Sequence, residues 1–105
     1  MRRQFIDKLS IDPYPGTLNL EIIDPESLQS FNALKATKGI EITPQDPSFC
    51  SAKCYPAFIG GRLKGAIVFP LVKGYPENKM ELIASKNIKE TLSVKAGDDL
   101  EVEIL

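Results

Sequence analysis

A mainly β fold, a small barrel carrying a few short helices, is what this 105-residue sequence predicts, and three observations carry that expectation. From Gly39 onward most of the chain alternates apolar and polar residues with a period of two. The alternating runs are short and are punctuated by turn signals such as Gly60-Gly61 and Lys95-Ala96-Gly97-Asp98. Helical patterns are brief and scattered, and do not alternate regularly with the strands as a parallel sheet requires.

Taken in order, residues 1–9 place Phe5, Ile6 and Leu9 at helical spacing, which predicts a short amphipathic helix. The stretch PYPGTLNLEI, residues 13–22, reads as a turn feeding a strand. Its Leu18, Leu20 and Ile22 point one way, while Thr17, Asn19 and Glu21 point the other. Asp24-Pro25-Glu26 starts a helix, with Asp as the cap and Pro at the first helical position, and Leu28, Phe31 and Leu34 form its apolar stripe. IEITP, FCSAKCYPAFI and LKGAIVFPLV read as strands, the last two joined as a hairpin at Gly60-Gly61. KMELIA is a further strand, and NIKETL is a short helical segment capped by Asn87 with Glu90 three residues on. DLEVEIL closes the chain, with Leu100, Val102 and Ile104 expected to face inward.

Composition excludes several function classes. Thirteen basic and fourteen acidic residues leave a net charge of -1, which supplies no field for nucleic acid or an anionic membrane. No apolar run approaches the ~20 residues of a membrane span, and the N-terminus has no apolar signal core, so a cytoplasmic protein is expected. The absence of histidine removes His-based general bases, Ser-His and Cys-His nucleophile pairs and histidine metal ligation. No phosphate-binding GxxxxGK[ST] loop or dinucleotide GxGxxG is present. Cys50 and Cys54, four apart on one strand, would lie roughly 13 Å apart, too far for a disulfide, and are expected as buried, reduced thiols.

Three segments together carry a family resemblance: PYPGTLNL (13–20), GAIVFP (65–70) and MELIASKNIKETLSVKAGDDLEVEI (80–104). In order and spacing they resemble the archaeal-type CTP-dependent riboflavin kinases over nearly the whole chain. Pro, Gly, Thr and Asn in the first segment are the most specific part, since a generic strand would not choose them at those offsets. The resemblance implies one cradle-loop, riboflavin kinase-like β-barrel domain over residues 1–105. It implies transfer of the γ-phosphate of CTP to riboflavin, giving FMN and CDP, with Mg²⁺.

By that resemblance Thr17 and Asn19 hold the metal and the nucleotide phosphates. Hydroxyl and amide oxygens are hard ligands suited to Mg²⁺, and the triphosphate would bring the negative charge. Glu81 corresponds to a flavin-contacting glutamate, and a carboxylate there accepts hydrogen bonds from the ring or ribityl groups. Lys73 falls at a flavin-side position in the loop after GAIVFP. Lys86, Asn87, Ile88 and Lys89 correspond to a nucleotide-contacting stretch, where backbone amides at a helix start stand beside two lysines.

The family pattern is not matched everywhere. Its members usually begin with a strand and a Gly-rich turn ahead of the helix that resembles MRRQFIDKL, so the domain is expected to be N-terminally incomplete. A barrel short of one strand exposes an edge that a homodimer or a partner segment would cover. Lys73, Gly74 and Tyr75 stand where a Thr and a His are usual, and Lys89 replaces an Arg, losing bidentate phosphate geometry. These departures motivate a second reading, a non-catalytic descendant that binds a flavin or a nucleotide.

Overall fold

The computed structural model describes residues 2–43 and 51–105. Along the chain it forms α1 (Arg2–Leu9), β1 (Leu18–Glu21), α2 (Pro25–Lys35), β2 (Ile40–Ile42), β3 (Ala52–Ile59), β4 (Leu63–Pro70), β5 (Lys79–Ala84), α3 (Ile88–Leu92) and β6 (Val102–Ile104). The six strands make one curled antiparallel sheet in the order β1-β5-β4-β3-β2, with β6 also pairing β3.

The expected chemistry of the ends operates. Asp24 accepts from the Ser27 amide at 2.9 Å to cap α2, and hydrogen bonding from the Ser27 side chain, with the amide adding to it, holds its carboxyl below the ordinary value. Asn87 accepts from the Glu90 amide at 3.1 Å to cap α3. At the β3-β4 turn Gly60 and Gly61 have φ of 60° and 69°, and the Arg62 amide donates to the Ile59 carbonyl at 3.3 Å. Two successive positive φ values match the right-handed twist of a hairpin, and glycine adopts them without a Cβ penalty.

Period-two alternation divides the sheet into two faces, each with its own core. On the inner face Tyr55, Ala57, Ile59, Ile67, Leu82 and Ala84 are buried together with Phe31 of α2 and Ile88 of α3, and Leu18, Leu20 and Met80 pack against them. On the outer face Ile42, Cys54, Ala66 and Ile83 are buried beneath Phe5, Leu9 and Ile11, at and just after α1. Each fully buried aliphatic side chain stabilises the fold by about 1.5–3 kcal/mol relative to exposure, so these two layers hold the register. Cys54 is a free buried thiol; burial pushes it up to about 12, with the Lys8 charge opposing. Cys50 lies outside the described residues, as do Pro44 of the expected second strand and Phe49 at the start of the expected third.

The sheet edges are treated unequally. The Gln4 side chain of α1 spans the backbone of Thr43, accepting from its amide at 2.9 Å and donating to its carbonyl, and Lys8 donates to the Glu41 carbonyl at 2.7 Å. Helix α1 thus occupies backbone groups along the β2 edge that would otherwise invite pairing. Strand β1 pairs only with β5, and β6 only with β3, among the described residues. Between them opens a cleft of about 610 Å³, lined by Leu20, Ile22, Phe31, Met80, Val102 and Ile104, among others.

That cleft corrects one expectation. Leu100 and Val102 pack against the inner core, but Ile104 is 43% exposed. It lines an open cleft that no element among the described residues covers, so inward placement does not bury it. Several expected strands are also shorter at their ends: LKGAIVFPLV stops at Pro70, and Leu71 and Val72 are exposed in the following loop.

Candidate functional site

The polar face of the first strand follows from its turn. Gly16 has φ of 90°, a left-handed conformation that favours glycine, and the Tyr14 amide donates to the Ala84 carbonyl at 2.8 Å. This anchors the turn to the end of β5 and sets the phase of the strand. Leu18 and Leu20 then face the inner core, leaving Thr17 and Asn19 on the opposite, exposed side.

Register supplies the third oxygen-bearing side chain. Asn19 lies directly across from Glu81 on β5. The Thr17 hydroxyl donates to Glu81 Oε1 at 3.1 Å and lies 3.4 Å from Asn19 Oδ1. The residues assigned from the sequence to metal and flavin thus share one cluster. Glu81 is half-buried, and its second oxygen, Oε2, accepts from the Tyr75 hydroxyl. Burial pushes the Tyr75 phenol up, and its hydrogen bond to Glu81 and the carboxylate charge push it the same way.

Tyr75 is a residue the sequence reading noted only as a departure. It follows a tight turn in which Gly74 has φ of 83° and the Tyr75 amide donates to the Val72 carbonyl at 3.2 Å. Its ring stands edge-on to Phe69, with centroids 6.3 Å apart, and Phe69 stands edge-on to Phe31 at 6.5 Å. The Lys79 ammonium lies 5.3 Å from the Tyr75 ring centroid. A tyrosine six residues before a strand glutamate gives no periodic signal, because the loop geometry that joins them is tertiary.

On the other side of Thr17 lies a cleft of about 140 Å³, lined by Tyr14, Gly16, Thr17, Lys86, Asn87 and Lys89, among others. The expected nucleotide stretch therefore borders the glycine-threonine turn across the ends of β1 and β5. Its four residues are not equivalent. Lys86 and Lys89 are exposed, whereas Ile88 buries its side chain in the inner core, which leaves only its backbone for a ligand. The Asn87 side-chain oxygen is engaged as the α3 cap, and its carbonyl accepts from the Thr91 amide. Lys73 stands exposed in the turn before Tyr75, with no hydrogen bond or ion pair among the described residues.

The donor set fits a hard cation. Thr17 and Asn19 present neutral oxygens close together, with the Glu81 carboxylate beside them, and oxygen-only sets suit Mg²⁺. Among the described residues no three His, Cys, Asp or Glu side chains gather into a metal cluster. A metal held by two neutral groups would need anionic ligands from elsewhere.

Fold and site together define a small β domain with a cluster of polar side chains at one end of its sheet, between β1 and β5. The family model described as "Domain of unknown function DUF120", CTP-dep_RFKase, matches residues 1–104, and the chain belongs to this CTP-dependent riboflavin kinase family. Proteins named riboflavin kinase from Methanocella arvoryzae and Archaeoglobus fulgidus are each 38% identical over 98% and 99% of this chain, which covers 46% and 45% of their lengths. The riboflavin kinase of Methanothermobacter thermautotrophicus is 33% identical, over 98% of this chain and 80% of its own length. The chain thus spans about half the length of the first two relatives and most of the third. No helix among the described residues is long and apolar enough to cross a membrane.

Proposed function

We propose that this domain transfers the γ-phosphate of CTP to a riboflavin hydroxyl, giving FMN and CDP, as a cytoplasmic enzyme dependent on Mg²⁺. The observation that carries the reading is the position of Thr17, which lines the cleft bearing Lys86 and Lys89 and hydrogen-bonds Glu81. Thr17 and Glu81, 64 positions apart and given by the family resemblance to metal and flavin, are joined at this hydroxyl, and the residues it gives to the nucleotide line the adjoining cleft.

In this reading Thr17 and Asn19 hold Mg²⁺, which when bound neutralises charge on the phosphates. Lys86 and Lys89 offset further phosphate charge, and the backbone of the 86–89 segment orients the nucleotide. Glu81 accepts hydrogen bonds from riboflavin, with Lys73 at the rim of the flavin side. No side chain is required as a strong base, because positioning and charge neutralisation supply most of the catalysis in phosphoryl transfer. The edges of β1 and β6 left unpaired among the described residues are where a second copy, or another segment, would complete the barrel as a single closed domain.

The test pairs calorimetric titration of riboflavin and of CTP with Mg²⁺ with an assay of FMN formation. Asn19→Ala is expected to weaken CTP-Mg²⁺ binding by about 1–3 kcal/mol, the scale for losing a partner to a charged group, while leaving the unfolding midpoint within a few degrees. Unchanged nucleotide affinity would remove Asn19 from the site. Binding of both ligands by the wild-type chain, with FMN absent from the assay, would favour the non-catalytic descendant. Sedimentation velocity decides whether a second copy is bound.

A further inference from the structure

We propose that Tyr75 is a positioning residue for the flavin substrate, acting through Glu81; the inference rests on the riboflavin kinase reading above. Both carboxylate oxygens of Glu81 are held from the protein side, Oε1 by the Thr17 hydroxyl and Oε2 by the Tyr75 hydroxyl. A carboxylate has about four acceptor positions, so two of them remain to receive donors from a substrate while the group is held in a single orientation. Without the two hydroxyls the half-buried Glu81 carboxylate would sample several rotamers, and a ligand would bear the cost of ordering it.

The phenol is itself well supported. Edge-on packing on Phe69 and the Lys79 ammonium near its ring fix the plane of Tyr75, and Phe69 leans on Phe31, a buried residue of α2. A line of contacts therefore runs from the inner core through Phe31, Phe69 and Tyr75 to Glu81. Burial and the adjacent carboxylate both resist ionisation of the phenol, which favours its role as the donor to Glu81. The same geometry separates the two hydroxyls by role: Thr17 borders the lysine-bearing cleft, whereas Tyr75 contacts Glu81 from the opposite oxygen.

The experiment is a double-mutant cycle on this 105-residue chain, comparing wild type, Tyr75→Phe, Glu81→Ala and the double variant. Riboflavin affinity is read by quenching of flavin fluorescence, CTP-Mg²⁺ affinity by calorimetry, and stability by thermal unfolding. Tyr75→Phe is expected to weaken riboflavin roughly tenfold when Glu81 is present and less than about twofold when it is absent, while the CTP-Mg²⁺ affinity of Tyr75→Phe alone stays within about twofold of wild type. Equal weakening of both ligands, equal weakening with and without Glu81, or unchanged riboflavin affinity would each overturn the proposal. A wild-type chain that binds CTP-Mg²⁺ but no riboflavin overturns the flavin reading itself. In that case the unfolding midpoints of the four proteins still decide the contact: non-additive shifts support Tyr75 acting through Glu81, and additive shifts reject it.

Discussion

The middle of the sheet and its two open edges obey different rules, although the same strands build both. Strands β3, β4 and β5 form a seam in which every strand has a partner on each side and β3 and β4 alone register eight residue pairs. Helix α1 buttresses the outer face of that seam and occupies backbone groups at the β2 edge. Strands β1 and β6, of four and three residues, each have one partner among the described residues and face a cleft of about 610 Å³. The comparison teaches that pairing on both sides with burial on both faces makes the seam rigid, while the open edges are left to ligands or partners.

The largest effect that tests this contrast is expected at Gly65, the third residue of β4. A Cβ there would meet the Ile83 carbonyl oxygen and lie 2.7 Å from Ile59 Cδ1. Backbone cannot rotate away as a side chain does, so Gly65→Ala should destabilise by about 3 kcal/mol or more, read by chemical denaturation. A loss below about 1 kcal/mol would show that the seam yields. Leu82, fully buried on the inner face of β5, comes next: Leu82→Ala should cost about 2–5 kcal/mol through lost burial and a cavity. At the open edge Ile104→Ala should cost only about 0.5 kcal/mol, because that side chain is 43% exposed in an uncovered cleft. A cost there comparable to Leu82→Ala would mean that the edge is covered in solution.

The smallest effect concerns acid. Asp24 has its ionisation favoured by the Ser27 hydrogen bond, so its folded value lies below the ordinary 3.8. Such a group contributes stability above its unfolded value and loses it as pH falls through the folded value. Below about pH 4 the unfolding midpoint of wild type should therefore fall more steeply than that of Asp24→Asn, whose neutral amide still caps α2. Parallel pH profiles would assign the acid sensitivity elsewhere.

Much of the element pattern was legible from local chemistry. Asp24-Pro25, Asn87 with Glu90, Gly60-Gly61 and Lys95-Ala96-Gly97-Asp98 each state a cap or a turn in a few residues, and each forms, the last with Asp98 donating its amide to the Lys95 carbonyl at 3.0 Å. Period-two runs located β3, β4 and β5, because a buried face repeats its apolar demand at every second residue. Strand ends were less legible: Leu71 and Val72 are as apolar as any strand residue yet lie exposed beyond β4, since nothing in the run states where its partner stops.

For the candidate site, the sequence by itself determined which side chains would be outward and polar: Thr17 and Asn19 by alternation after a glycine turn, and Glu81 by alternation on KMELIA. It also determined the absence of histidine chemistry and the near-neutral charge. Only the tertiary structure decided that Asn19 faces Glu81, that Thr17 bridges Glu81 and the Lys86–Lys89 cleft, and that Tyr75 closes on the second carboxylate oxygen. The physical reason is that alternation fixes the face of a residue through local backbone geometry. Neighbours across a sheet instead depend on strand register and on the course of an eight-residue loop between β4 and β5, both set by how the two cores pack together.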